Sequence, residues 1–153
     1  MINWKSLTTN LAISLGTGIL SALITRNSMD TYKNLNLPKL APPSILFPIV
    51  WTILFILMGI SAYIIYESNS NQRQNALIIY GIQLIINFIW PILFFNSKLY
   101  LFSFIWITLL WLLIIVMINS FNKISNTAAY LQTPYLVWVT FASYLNFMIY
   151  YLN

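Results

Sequence analysis

The chain has 153 residues, 60% of them hydrophobic and 6% charged, with a formal net charge of +5. A soluble domain is about 25% charged; seven basic and two acidic side chains cannot build a water-facing surface, which leaves a bilayer as the solvent. With neither cysteine nor histidine present, disulfides and thiolate chemistry are excluded, the commonest metal ligand is missing, and no metal site is expected.

Crossing the hydrocarbon core takes about 20 mostly apolar residues, and five segments meet that length. They predict an all-α membrane protein, a single domain over residues 1–153 folded as a five-transmembrane-helix bundle. The first span covers about residues 7–25 and carries Ser14, Gly18 and Ala22 four apart. Such a stripe of small residues permits close backbone approach, and packing within the bundle is expected in preference to packing between protomers. The span is long for the apolar part of a signal peptide and lacks a small-residue cleavage site, so it is expected to stay as a helix. Residues 26–44 form the one long connection. Asp30, Tyr32, Pro38, Pro42 and Pro43 give it few flexible positions, and it is expected to act as a lid over one end of the bundle.

The second span, about 45–66, offers Trp51, Phe55 and Gly59 four apart. The third, about 76–95, places Gln83, Asn87, Trp90 and Phe94 at spacings of four, three and four, which is one helical face. The fourth, about 99–119, has only Ser103, Thr108 and Asn119 as polar groups and reads as mainly lipid-facing. The fifth, about 127–152, carries Pro134, Trp138, Ala142 and Asn146, again four apart. Polar turns at 67–75, 96–98 and 120–126 join them, and Tyr66, Tyr150, Tyr151 and Trp4 lie near span ends as interfacial anchors.

Every charge falls outside these spans. Lys5, Arg26, Lys33, Lys39, Arg73, Lys98 and Lys123 are scattered singly, which suits lipid headgroups and not nucleic acid. Four basic residues on the side of the C-terminus against three on the other do not orient the bundle, although five spans put the two ends of the chain on opposite sides. Without intramembrane acids an ion-driven pump is not expected, and Ser-His-Asp catalysis lacks its base. Any chemistry would run through tryptophan, tyrosine or the ligand itself. Amides in hydrocarbon need partners, so they either join helices to one another or, together with the aromatic faces, line a cavity for a flat apolar ligand.

Tyr32–Lys33–Asn34–Leu35, the run Pro38–Lys39–Leu40–Ala41–Pro42–Pro43, then Phe47, Trp51, Thr52, Leu54, Met58 and Gly59 resemble the first loop and second helix of the TspO/MBR family. These are the tryptophan-rich sensory proteins of bacteria and the translocator proteins, or peripheral-type benzodiazepine receptors, of mitochondria. Gln83, Asn87, Trp90, Phe94 and Phe95 in the third span fit its pattern, as do Ala129, Leu131, Pro134, Tyr135, Leu136, Trp138, Phe141, Ala142, Leu145 and Asn146 in the fifth. Leu40 stands where the family usually has tryptophan, and no basic residue follows Lys123 to complete the cholesterol motif of animal members.

The resemblance implies a five-helix bundle whose first loop caps a pocket for porphyrins, protoporphyrin IX above all, and for isoquinoline carboxamides. It implies a ligand or substrate with no covalently bound cofactor, a homodimer, and a multi-pass place in a bacterial cell membrane. Carried over, Trp51 and Asn87 would contact the ligand's polar group. Tyr32, Pro42, Phe47, Phe55, Gln83, Trp90, Trp138, Ala142 and Asn146 would complete the ligand-binding set. Trp51 and Trp138 are the implied catalytic residues if the bound porphyrin is degraded under light. Passive transport of porphyrins or other hydrophobic molecules is the alternative.

Overall fold

The computed structural model describes residues 1–28 and 30–153. Among them are five helical spans long and apolar enough to cross a membrane, and no strand. Helix α1 (Trp4–Thr25) begins where the Asn3 side chain accepts from the Ser6 amide at 3.2 Å, satisfying one orphan donor of the first turn. A single 3₁₀ turn (Arg26–Ser28) and the four-residue α2 (Asp30–Lys33) open the long connection. Helices α3 (Leu46–Tyr66) and α4 (Arg73–Pro91) follow, the latter running on into a π-helical turn (Ile92–Asn96). Pro91 has no N–H to return to the Asn87 carbonyl, so the regular ladder ends there. The Ser97 amide instead reaches Ile92 O at 3.0 Å, a wider turn of the kind found at functional sites. Helix α5 (Tyr100–Asn122) is uninterrupted. Helices α6 (Asn126–Leu131) and α7 (Thr133–Leu152) make the fifth span, broken at Gln132 because Pro134 cannot donate to the Tyr130 carbonyl.

The helices exceed the predicted spans mainly at polar ends: Lys5 and Arg73 lie in first turns, and α5 continues to Asn122. Hydropathy marks the hydrocarbon core, while the helical ladder runs on into the headgroup layer.

The outer surface of the bundle is apolar, and its interior is an apolar core threaded with buried polar groups such as Ser14, Ser61, Gln83, Asn87 and Asn146. Ile49, Ile53 and Ile56 on α3, Ile78, Ile82 and Ile85 on α4, and Ile105, Leu109, Leu112 and Val116 on α5 are exposed at helical spacing, as a lipid-facing surface requires. On α1 the buried residues are all small or polar (Ser6, Asn10, Ser14, Ser21 and Thr25). The Ser14 hydroxyl donates to the Phe55 carbonyl, and a Cβ on Gly18 would lie 2.5 Å from the Phe55 ring. The small-residue stripe therefore packs within the bundle, α1 against α3.

Two expectations change. Helix α5 is not mainly lipid-facing: Ser103, Ile107, Leu110, Ile114, Met117 and Phe121 are buried, packed on α7 and α4. Trp106 Nε1 also donates to Ile86 O at 2.9 Å and Trp111 Nε1 to Thr140 Oγ1 at 2.8 Å. In a membrane both faces of a helix can be apolar, so composition alone does not reveal which one is packed. Likewise Pro134 and Trp138 do not share the buried face that holds Ala142 and Asn146. Each step of four overshoots a turn by about 40°, and the buried face of α7 is Tyr135, Val139, Ala142, Leu145, Asn146 and Ile149.

The long connection lies over the loop end of the bundle as a lid. Tyr32 is buried, donates its hydroxyl to Pro42 O at 3.1 Å and stands edge-on to Phe47, 5.2 Å away. Burial pushes that hydroxyl above its ordinary pKa, so it remains a neutral donor. Further along, Asn36 and Asn153 clamp the lid to the end of α7: Asn36 N donates to Asn153 Oδ1 at 3.0 Å and Asn153 Nδ2 to Asn36 O at 3.1 Å.

Candidate functional site

Toward the loop end of the bundle, α1, α3 and α4 enclose a partly open cavity of about 250 Å³. Helix α3 supplies Phe47, Pro48, Trp51 and Phe55; α4 and its π-turn supply Asn87, Trp90, Pro91 and Phe95. The third wall is α1, where Gly18, Ser21, Ala22 and Thr25 keep the space open by having little side chain, and Arg26 stands at the loop end. The wall is overwhelmingly apolar with a few polar groups, the usual make-up of a small-molecule site.

The deepest polar group is held by a buried chain of hydrogen bonds. The Tyr135 hydroxyl donates to Gln83 Oε1 at 2.9 Å and accepts from Asn87 Nδ2 at 2.6 Å. A hydroxyl has one proton to give, so once it is spent on Gln83 the oxygen can only accept from Asn87. The Asn87 amide is thereby fixed in the cavity wall. Trp51 stands edge-on to Tyr135 at 6.1 Å and tilted against Phe55 at 5.8 Å, which holds its ring in the wall. Trp90 is stacked on Phe94, 5.6 Å away. Its indole N–H is buried without an acceptor among the described residues.

Beside this cavity lies a gap of about 20 Å³ bounded by Tyr32, Phe47, Trp90, Phe94, Phe95, Ala142, Leu145, Asn146 and Ile149. Phe47 and Trp90 belong to both walls. The expected ligand-binding residues thus divide. Phe47, Trp51, Phe55, Asn87 and Trp90 come together on the cavity; Tyr32, Ala142 and Asn146 line the neighbouring gap.

Three expected residues line neither space. Gln83 is fully buried with its carbonyl oxygen taken by Tyr135. Pro42 contributes its backbone carbonyl to Tyr32 and so anchors the lid. Trp138 lies on an outer groove of about 840 Å³ between α3 and α7, with Val50, Ile53 and Val137, and its ring stands 5.9 Å from that of Phe47. The rotation of α7 by which the four-residue spacing drifts accounts for that displacement.

Ser21, Thr25, Arg26, Pro48, Pro91 and Phe95 were not expected. Ser21 and Thr25 extend the small-residue pattern from Ser14 at spacings of seven and four, a signal that was there to be read. Tyr135 fits the family pattern in the fifth span, but nothing in the sequence shows that its hydroxyl organises the two amides.

With this geometry in place, the comparisons with known proteins are direct. The family model described as TspO/MBR family matches residues 10–152. The chain is 40% identical to "Tryptophan-rich protein TspO" of Chlorobaculum tepidum over 80% of its own length and 78% of that protein's. It is 35% identical to "Tryptophan-rich protein TspO" of Archaeoglobus fulgidus over 99% of both chains. It is also 30% identical to "Translocator protein" of Bos taurus, over 88% and 81% respectively. Five apolar spans in a helical bundle, a match over almost the whole chain and these relatives lead to one statement: the chain is a multi-pass integral membrane protein and belongs to the TspO/MBR family.

Proposed function

We propose that the cavity between α1, α3 and α4 binds a flat apolar tetrapyrrole, protoporphyrin IX or a close relative, and that the chain acts as a receptor or sensor for it in a bacterial cell membrane. One observation carries the reading: Trp51, Phe55 and Trp90 wall a single space with one amide, Asn87, fixed at its deep end by Tyr135. Aromatic faces bury a planar macrocycle at little entropic cost, and one oriented polar group sets its register. The cavity falls just short of the roughly 300–1,000 Å³ usual for drug-sized ligands. A macrocycle therefore needs Phe47 and Trp90 to yield toward the adjoining gap, or its edge to emerge at the open side. If the bound porphyrin is degraded under light, Trp51 and Trp90 are the tryptophans on the cavity wall, and Trp138 stands outside it beyond Phe47.

Trp51→Ala is expected to raise the dissociation constant for protoporphyrin IX about tenfold, the value of one well-placed aromatic contact. Trp111→Phe, on the opposite side of the bundle, should leave it unchanged. Equilibrium titration of the purified chain, followed by tryptophan quenching, measures both. Equal affinities for wild type and Trp51→Ala would remove the cavity from the account.

A further inference from the structure

Arg26 is the one charged residue on the wall of the cavity. The chain has two acids, and neither neutralises it. Asp30 is paired with Lys33 at 2.9 Å, and Glu67 accepts from Asn3 at 3.3 Å, near the other end of α1. The Arg26 side chain is exposed and has no hydrogen bond or ion pair among the described residues, so the five donors of its guanidinium are open to water or to a ligand. Along α1 it stands eight residues beyond Gly18, roughly 12 Å at the helical rise. The cavity is therefore a slot, apolar along its length, with Asn87 toward one end and a free cation at the other.

A cation without a protein partner at the mouth of a hydrophobic slot suits a ligand that brings its own anion. We propose that Arg26 forms a carboxylate-binding subsite, so that the ligand is a flat apolar acid lying with its anionic edge at the lid. A guanidinium is the side chain best matched to a carboxylate, through two parallel N–H···O bonds. At this end of the bundle the acid stays close to the headgroup layer while its apolar body reaches inward. The proposal rests on the reading of the cavity as a tetrapyrrole site and specifies which tetrapyrroles it takes: those with free acid side chains along one edge.

The test compares protoporphyrin IX with its dimethyl ester, which keeps the macrocycle and removes the charge. Both are titrated at neutral pH against the full chain in nanodiscs of zwitterionic lipid, so that no lipid acid competes for Arg26. Wild type should bind the acid about tenfold more tightly than the ester, as a charge-assisted pair implies. Arg26→Gln should lose that preference while its affinity for the ester stays within about twofold of wild type. Arg26→Lys should keep part of the preference, since charge remains but the fork is lost. Wild type binding both probes equally, or Arg26→Gln losing affinity for acid and ester alike, would overturn the subsite and leave the cavity standing. Failure of wild type to bind either probe would overturn the tetrapyrrole reading, and the subsite with it.

Discussion

Gly59→Val is expected to cost the bundle about 3 kcal/mol or more, the upper end of what overpacking a well-packed interior costs. A Cβ at Gly59 would sit 2.9 Å from Leu11 Cα and 3.2 Å from Asn10 O. Those are backbone atoms of α1, and no rotamer change can move them away. Helix α1 would have to retreat from α3, breaking the Ser14–Phe55 hydrogen bond and opening the cavity wall that both helices build. Gly16 and Gly81 are the internal controls, because a Cβ at either meets nothing within 4 Å. Alanine at those sites should be neutral or gain up to about 1 kcal/mol in helix propensity. Unfolding of the purified variants in detergent, by heat or by titration with a denaturing detergent, reads these differences. A Gly59→Val protein as stable as wild type would show that α1 and α3 do not pack this closely.

The second large effect is expected at Tyr135. Tyr135→Phe keeps the ring, buried to 1% exposure and edge-on to Trp51, and removes only the oxygen. Asn87 Nδ2 and Gln83 Oε1 then lose their partner together, while Gln83 Nε2 already lacks one among the described residues. A buried polar group left unpaired costs about 1–3 kcal/mol, whereas interhelical hydrogen bonds in membranes average nearer 0.6 kcal/mol. Two orphaned groups therefore place the loss at about 2 kcal/mol. Porphyrin affinity should fall as well, because the Asn87 amide is no longer held against the wall. That coupling separates this variant from a purely structural lesion elsewhere: Ser61→Ala removes a buried 2.7 Å bond to Ala128 O, and should reduce stability while leaving ligand affinity unchanged. Unaltered stability and affinity in Tyr135→Phe would show that the three residues do not act as a unit.

The comparison of expectation with structure has a physical pattern. The five spans were legible because lipid imposes length and apolarity on each helix independently. The inward face of α4 was legible because Gln83 and Asn87 cannot remain in hydrocarbon unpaired, and the 4-3-4 spacing follows the true helical period. The face of α7 was misread because a strict spacing of four drifts around the helix, which moved Trp138 to the outer groove. The packing of α5 was hidden because Ile107, Leu110 and Ile114 look the same whether they face lipid or protein. Membership of the site was harder still to see. Gln83 and Asn87 are alike as sequence, yet one is consumed by Tyr135 and the other also lines the cavity. Arg26 read as a headgroup contact because its place at the loop end of α1, on the cavity wall, exists only once α1 has packed on α3.

Where a bound porphyrin lies is the most direct measure of the account. A crystal structure of the chain with protoporphyrin IX is expected to show the macrocycle between α1, α3 and α4, against Trp51 and Trp90, with its carboxylates toward Arg26. A macrocycle seated instead on the outer groove beside Val50, Ile53 and Trp138, with the inner cavity closed, would contradict it.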